Sequence, residues 1–273
     1  MAGVHAGEAR VDGLRLAYRE QGDGPPLLLL HGGMSDSREW HRQLDALSDR
    51  WRVVAWDAPG CGGSDDAPPD WLIDDFAGAV AGLAAALGVS RAHLCGVSFG
   101  AGLALAVAAR APELVRSLVL VSGYAGWAGS LPAEEVQERL RFALAAAQDP
   151  PEPRLEDGRH FTGPDPSQEV LQELLEIARD ARPSTYAVLG RAFATADLRP
   201  VLPQLQVPVL VVCGEADTRC PPAVSEALAA AIPGATMIAL PGVGHVLHQE
   251  APEVLERVLR PFLAAAEGAD ARR

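Results

Sequence analysis

The chain has 273 residues, with 36 Asp or Glu against 23 cationic residues and a formal net charge of −13. All 23 cations are arginine, so no Schiff-base lysine, P-loop lysine or lysine general base exists here. An acidic surface repels phosphate backbones and anionic membranes, which argues against nucleic-acid and membrane partners.

Along the chain, short apolar runs alternate with helical patterns. The first ten residues carry His5, Glu8 and Arg10 and no apolar stretch, so no secretory leader is expected. Residues 14–18 alternate toward the turn at 22–26 and predict an antiparallel edge hairpin. Residues 27–30 are continuously apolar, as a strand covered on both faces should be. Residues 53–56, 93–95, 117–121, 207–213 and 236–240 repeat that pattern. Helical periodicity falls at 74–87, 100–110, 223–231 and 252–267. The expected fold class is α/β, a mostly parallel sheet flanked by helices.

The rhythm breaks between 124 and 202. That stretch has no convincing strand. It has amphipathic helical patterns at 133–148, 168–181 and 184–195, with a Pro-rich, charged connection at 149–167. It reads as an inserted helical unit, leaving residues 1–123 and 203–273 as the core domain. The cysteines Cys61, Cys95, Cys213 and Cys220 form no C-x-x-C pair, and a reducing cytoplasm is the expected compartment.

Chemistry concentrates at four places. Gly96-Val97-Ser98-Phe99-Gly100 follows a predicted strand and opens a predicted helix. Such a turn lifts a serine hydroxyl clear of the sheet, and side chains two residues either side would collide. Ser98 is therefore the candidate nucleophile. A serine of ordinary acidity needs a base, and the base needs an orienting acid. Asp217 and His245 each lie just past a predicted strand, in the chain order Ser, Asp, His. His248 competes with His245 as base, and Glu215 and Glu250 compete with Asp217 as the acid. His31-Gly32-Gly33-Met34 follows the first parallel strand and offers a backbone N–H to an oxyanion. The expected donors are Gly33 and Phe99, with Met34 as the alternative to Gly33; His31 reads as structural.

These residues together make the chain resemble the α/β-hydrolase fold superfamily, in its group of serine-nucleophile, lidded hydrolases. Asp57-Ala58-Pro59-Gly60-Cys61-Gly62-Gly63-Ser64 is similar to that family's D-x-P-G-x-G-x-S turn, and Asp12-Gly13 to its entry. The resemblance implies that residues 124–202 form a lid over Ser98 and that the Asp57 turn is structural. It implies a hydrolase acting without a cofactor on an ester or lactone of a small, largely apolar molecule. An acyl transferase, cyclase or C–C hydrolase on the same fold is the alternative. A dinucleotide-binding reading of Gly96, Gly100 and Gly102 fails because its Tyr-x-x-x-Lys pair needs a lysine. The seven histidines show no H-E-x-x-H and no H-x-H, so no metal is expected. Trp40, Tyr124, Trp127, Phe142 and Tyr186 are candidate pocket residues, with Phe161 and Phe193 as further aromatics of the inserted unit. Arg191 and Arg219 read as surface ion-pair partners rather than receivers of a substrate carboxylate. The net charge disfavours strongly anionic substrates unless local arginines offset it.

Overall fold

A computed structural model describes residues 3–270. Eight strands form one sheet: β1 (His5–Val11), β2 (Leu14–Gln21), β3 (Pro26–Leu30), β4 (Arg52–Trp56), β5 (Ala92–Val97), β6 (Val115–Val121), β7 (Val209–Gly214) and β8 (Thr236–Leu240). Their spatial order is β1-β2-β4-β3-β5-β6-β7-β8. The pairings β1–β2 and β2–β4 are antiparallel and all the others are parallel. The edge hairpin exists, but its partner differs from the expected one. β2 pairs backward with β1 across Asp12 and Gly13, both at positive φ (49° and 87°). β1 left little trace in the sequence because most of its residues are exposed or half-exposed.

Nine helices complete the described chain: α1 (His41–Leu47), α2 (Ile73–Ala86), α3 (Phe99–Arg110), α4 (Ala133–Gln148), α5 (Gln168–Arg179), α6 (Pro183–Thr195), α7 (Pro222–Ala231), α8 (Leu247–Glu250) and α9 (Pro252–Asp270). The strand period of two splits the core between the faces of the sheet. Leu28 and Leu30 pack with α2 and α3, whereas Leu27 and Leu29 pack with Leu44 and Leu47 of α1 and with Leu255, Leu259 and Leu263 of α9. Each such side chain, buried to 3% exposure or less, contributes about 1.5–3 kcal/mol by leaving water.

Among the described residues, the segment between β6 and β7 holds α4, α5 and α6 and no strand. It is fastened at several points to loops at the C-terminal ends of the parallel strands. Arg182 donates to the carbonyls of Gly60 and Ser64, and the Thr185 hydroxyl to that of Gly60. Arg42 of α1 pairs with Glu173 of α5 at 2.7 Å, and Arg38 pairs with Asp180 at 2.7 Å. Phe193 of α6 packs edge-on against Phe99 and Tyr124, 5.3 and 5.9 Å away. The same loops carry the candidate residues. No helix among the described residues is long and apolar enough to cross a membrane. All four cysteines are buried free thiols.

Candidate active site

Ser98 sits between β5 and α3 with φ 54° and ψ −112°, a conformation that side chains disfavour by about 1–3 kcal/mol. The flanking glycines are a steric necessity. A Cβ on Gly96 would lie 2.1 Å from the Gly100 carbonyl oxygen, and one on Gly100 would lie 2.0 Å from that of Leu30. The turn is anchored at both ends, since Ser98 N–H donates to Val121 O and Ser98 O accepts from Ala101 and Gly102 N–H. The side chain thereby stands at the N-terminus of α3, whose first N–H groups lack intrahelical acceptors and carry partial positive charge.

Asp217 and His245 come together from the ends of β7 and β8. His245 Nδ1 lies 2.8 Å from Asp217 Oδ2. With the proton on Nδ1, the Nε2 lone pair is left free to accept one. The other carboxylate oxygen, Oδ1, accepts N–H bonds from Arg219 and Cys220 at 2.9 and 2.8 Å. Both side chains are at most 5% exposed. The imidazole is held from the segment between β6 and β7 as well: the Phe161 carbonyl accepts the N–H groups of His245 and Val246, and the Phe161 ring lies 6.3 Å from the imidazole.

The competitors take other roles. His248 is fully buried, its ring 4.5 Å from that of Trp40, and burial pushes its pKa down to about 3. Glu250 braces the backbone by accepting Gly244 and Gly163 N–H, while Glu215 is exposed.

The loop after β3 is held by three buried side chains. His31 donates from Nδ1 to Gly32 O at 2.7 Å and accepts Ala58 N–H on Nε2 at 2.9 Å, and burial lowers its pKa, so it is a neutral strut. A trans peptide aims its N–H opposite to its carbonyl, so the His31 bond also fixes the direction of Gly33 N–H. A Cβ on Gly33 would touch the Phe99 Cβ at 3.8 Å, which makes the two expected donors neighbours. Met34 follows in the left-handed region at φ 64°. Asp57 accepts Ser37 and Gly63 N–H, each at 2.8 Å, and closes its turn beside the loop.

The third strut, Glu39, had no local signal in the sequence. It is 4% exposed and accepts Gly32 N–H at 3.0 Å. Burial is the main force pushing its pKa up to about 8, opposed by hydrogen bonds from Ser35 and Gly32. His248 Nε2 lies 3.6 Å away, and the two opposite shifts, both caused mainly by burial, favour the neutral form of each group.

The expected pocket aromatics scatter. Trp40 and Tyr124 are fully buried in packing, and Tyr124 donates to the Arg219 carbonyl while accepting from Arg139. Trp127 is half-buried against Phe193, with the Arg139 guanidinium over its ring, and Tyr186 is half-buried on α6. Phe142 departs from the expectation: at 63% exposure it faces solvent from α4. Arg219 corrects another, since it is half-buried at the junction rather than paired on the surface.

A sequence profile described as the alpha/beta hydrolase fold matches residues 25–252. The chain is a hydrolase of the α/β-hydrolase fold family. Among its relatives, the hydrolase is 32% identical over 265 residues to a dihydrolipoyllysine-residue acetyltransferase component of an acetoin cleaving system from Pseudomonas putida. That match covers 94% of this chain and 68% of the relative. A thermophilic esterase from Thermogutta terrifontis superposes with TM-score 0.88 at 27% identity, covering 96% of this chain and 99% of the other. An enol-lactonase from Burkholderia xenovorans superposes with TM-score 0.78 at 28% identity, covering 94% and 100%.

Proposed function

We propose that the hydrolase cleaves carboxylic esters or lactones of small molecules through an acyl-enzyme on Ser98. His245 takes the Ser98 Oγ proton on Nε2 as Oγ bonds to the substrate carbonyl carbon. Asp217 holds the imidazole tautomer and stabilises the imidazolium. The N–H groups of Gly33 and Phe99 receive the oxyanion. Collapse expels the alcohol or enol, which takes the proton from His245. Water then adds to the acyl carbon, giving its proton to His245, and the acid leaves as Ser98 recovers its own. Residues 124–202 act as the lid, and a reducing cytoplasm suits the four buried thiols.

The observation that carries this reading is the strained Ser98 turn between two obligatory glycines. Strain of that kind needs a return in function. The esterase and the enol-lactonase among the similar structures support the substrate class. Acyl transfer to a second nucleophile is the other reading, favoured by the acetyltransferase component among the relatives. A panel of aryl esters, lactones and thioesters of graded acyl length, with and without an added alcohol or thiol acceptor, separates the two. Ester turnover by the wild type and none by Ser98→Ala is expected; undiminished turnover in that variant refutes the proposal.

A further inference from the structure

Arginines packed at the junction between residues 124–202 and the rest of the molecule have acidic partners. Arg42 meets Glu173, Arg139 meets Glu135 at 2.6 Å and Arg182 meets Asp66 at 3.1 Å. Arg219 is different. Among the described residues no carboxylate lies within ion-pair distance of its guanidinium, in a chain that has 36 of them. The surroundings are aromatic and of mixed charge: Arg139, itself paired with Glu135, pulls the Arg219 pKa down, and the Asp217 carboxylate, already engaged by His245, acts from beyond ion-pair distance in the other direction. The guanidinium lies over the Phe161 ring at 5.3 Å, and the Arg139 guanidinium lies over the neighbouring Tyr124 ring at 5.4 Å.

The backbone of Arg219 belongs to the candidate site. Its N–H donates to Asp217 Oδ1, and its carbonyl accepts from Tyr124 and Arg139. One bond donated and two accepted leave the main chain little freedom, so the side chain has a fixed origin. Phe161 then links it to the base, because its ring neighbours both the guanidinium and the His245 imidazole, at 5.3 and 6.3 Å.

A half-buried guanidinium without a carboxylate at ion-pair distance keeps part of its desolvation cost. Cation–π contact recovers only part of what desolvating an ion costs. Desolvation first, and then the Arg139 charge, pull the Arg219 pKa below its ordinary value. Both costs fall if an anion enters, and a guanidinium fork presents paired donors to a carboxylate. The net charge of −13 repels anions at long range, so such an anion needs a local cation to be accepted.

We propose that Arg219 receives a free carboxylate of the substrate, so that the preferred ester or lactone is a half-ester or lactone acid rather than a neutral molecule. This rests on the esterase reading of the same site and adds the charge of the substrate to it.

The test uses two 4-nitrophenyl esters of equal acyl length, the hydrogen glutarate (anionic) and the pentanoate (neutral). The ratio of their kcat/KM values is read, a quantity independent of how much of each preparation is folded. The wild type is expected to favour the anionic ester. Arg219→Gln should lower the ratio about 10- to 100-fold, the range of one charge-assisted contact, chiefly through KM. Arg219→Lys should keep part of it. A ratio that Arg219→Gln leaves in place overturns the proposal, as does a wild type that favours the neutral ester. Binding is measured separately by titrating monomethyl glutarate into Ser98→Ala and into Ser98→Ala/Arg219→Gln. Weaker binding by the double variant is expected, and equal affinities sink the carboxylate contact. Failure of the wild type to cleave either ester counts against the esterase reading, whereas the titration judges Arg219 by itself.

Discussion

Replacing Glu39 by glutamine should change how stability depends on pH, with a sign that the burial of this group dictates. Its folded pKa of about 8 lies above that of an exposed glutamate, so the folded state binds the extra proton. An acid raised in the folded state costs stability as pH climbs from the unfolded pKa toward the folded one, because the unfolded chain releases its proton first. Stability is therefore fullest below about pH 4.5, falls by up to about 1.4 kcal/mol per pH unit, and levels above about pH 8. Between pH 5.5 and 7.5 the wild type should lose about 2–3 kcal/mol relative to Glu39→Gln. His248 titrates in the opposite direction, but it is present in both proteins and largely cancels in their difference. The glutamine carbonyl can still accept Gly32 N–H, so the loop keeps its anchor. Urea unfolding of both proteins at pH 5.5, 6.5 and 7.5 and constant ionic strength reads the effect. A difference that stays flat with pH refutes the reasoning. A wild type that gains on the variant as pH rises does so too, and would mean that Glu39 is ionised beside a protonated His248.

The backbone geometry yields further expectations. Gly100→Ala forces a Cβ to 2.0 Å from the Leu30 carbonyl oxygen, at the buried junction between the first turn of α3 and the end of β3. It should lower stability by more than about 3 kcal/mol or abolish soluble expression, as denaturant titration or yield will show. Asp217→Asn keeps the size of the side chain but withdraws the acceptor that sets the His245 tautomer. Ester kcat should fall about 10³–10⁴-fold in that variant. Phe142→Ser, on an exposed face, should change kcat/KM for any ester by less than about twofold, and a tenfold loss would return Phe142 to the pocket.

The fold was legible where burial is two-sided. Leu27 to Leu30 and Val209 to Cys213 announce central strands because both faces are covered and every position is apolar. β1 was silent because its exposed residues obey no such constraint. The strained turn at Ser98 was legible because sterics act on a contiguous motif, in which a glycine two residues either side of the serine is demanded by backbone oxygens, and the Asp217–His245 contact follows from two loops at adjacent strand ends. Glu39 was not, since its carboxyl meets Gly32 seven residues away and only the folded loop shows its burial. Phe161 acts through a backbone carbonyl, which no side-chain identity encodes. Arg219 misled because a lone arginine in an acidic chain ordinarily finds a carboxylate, and the absence of one within 4 Å among the described residues is a property of the packed junction. Phe142 shows the converse: an aromatic in a helical pattern carries no label for which face meets solvent.

The central claim is that Ser98 is the nucleophile, and the direct measurement is where a serine-directed fluorophosphonate attaches. Intact-mass and peptide mass spectrometry of the labelled protein should find one adduct on Ser98. The adduct should vanish in Ser98→Ala and form far more slowly in Asp217→Asn. An adduct on another residue, or none on a folded protein that still hydrolyses esters, would contradict the account.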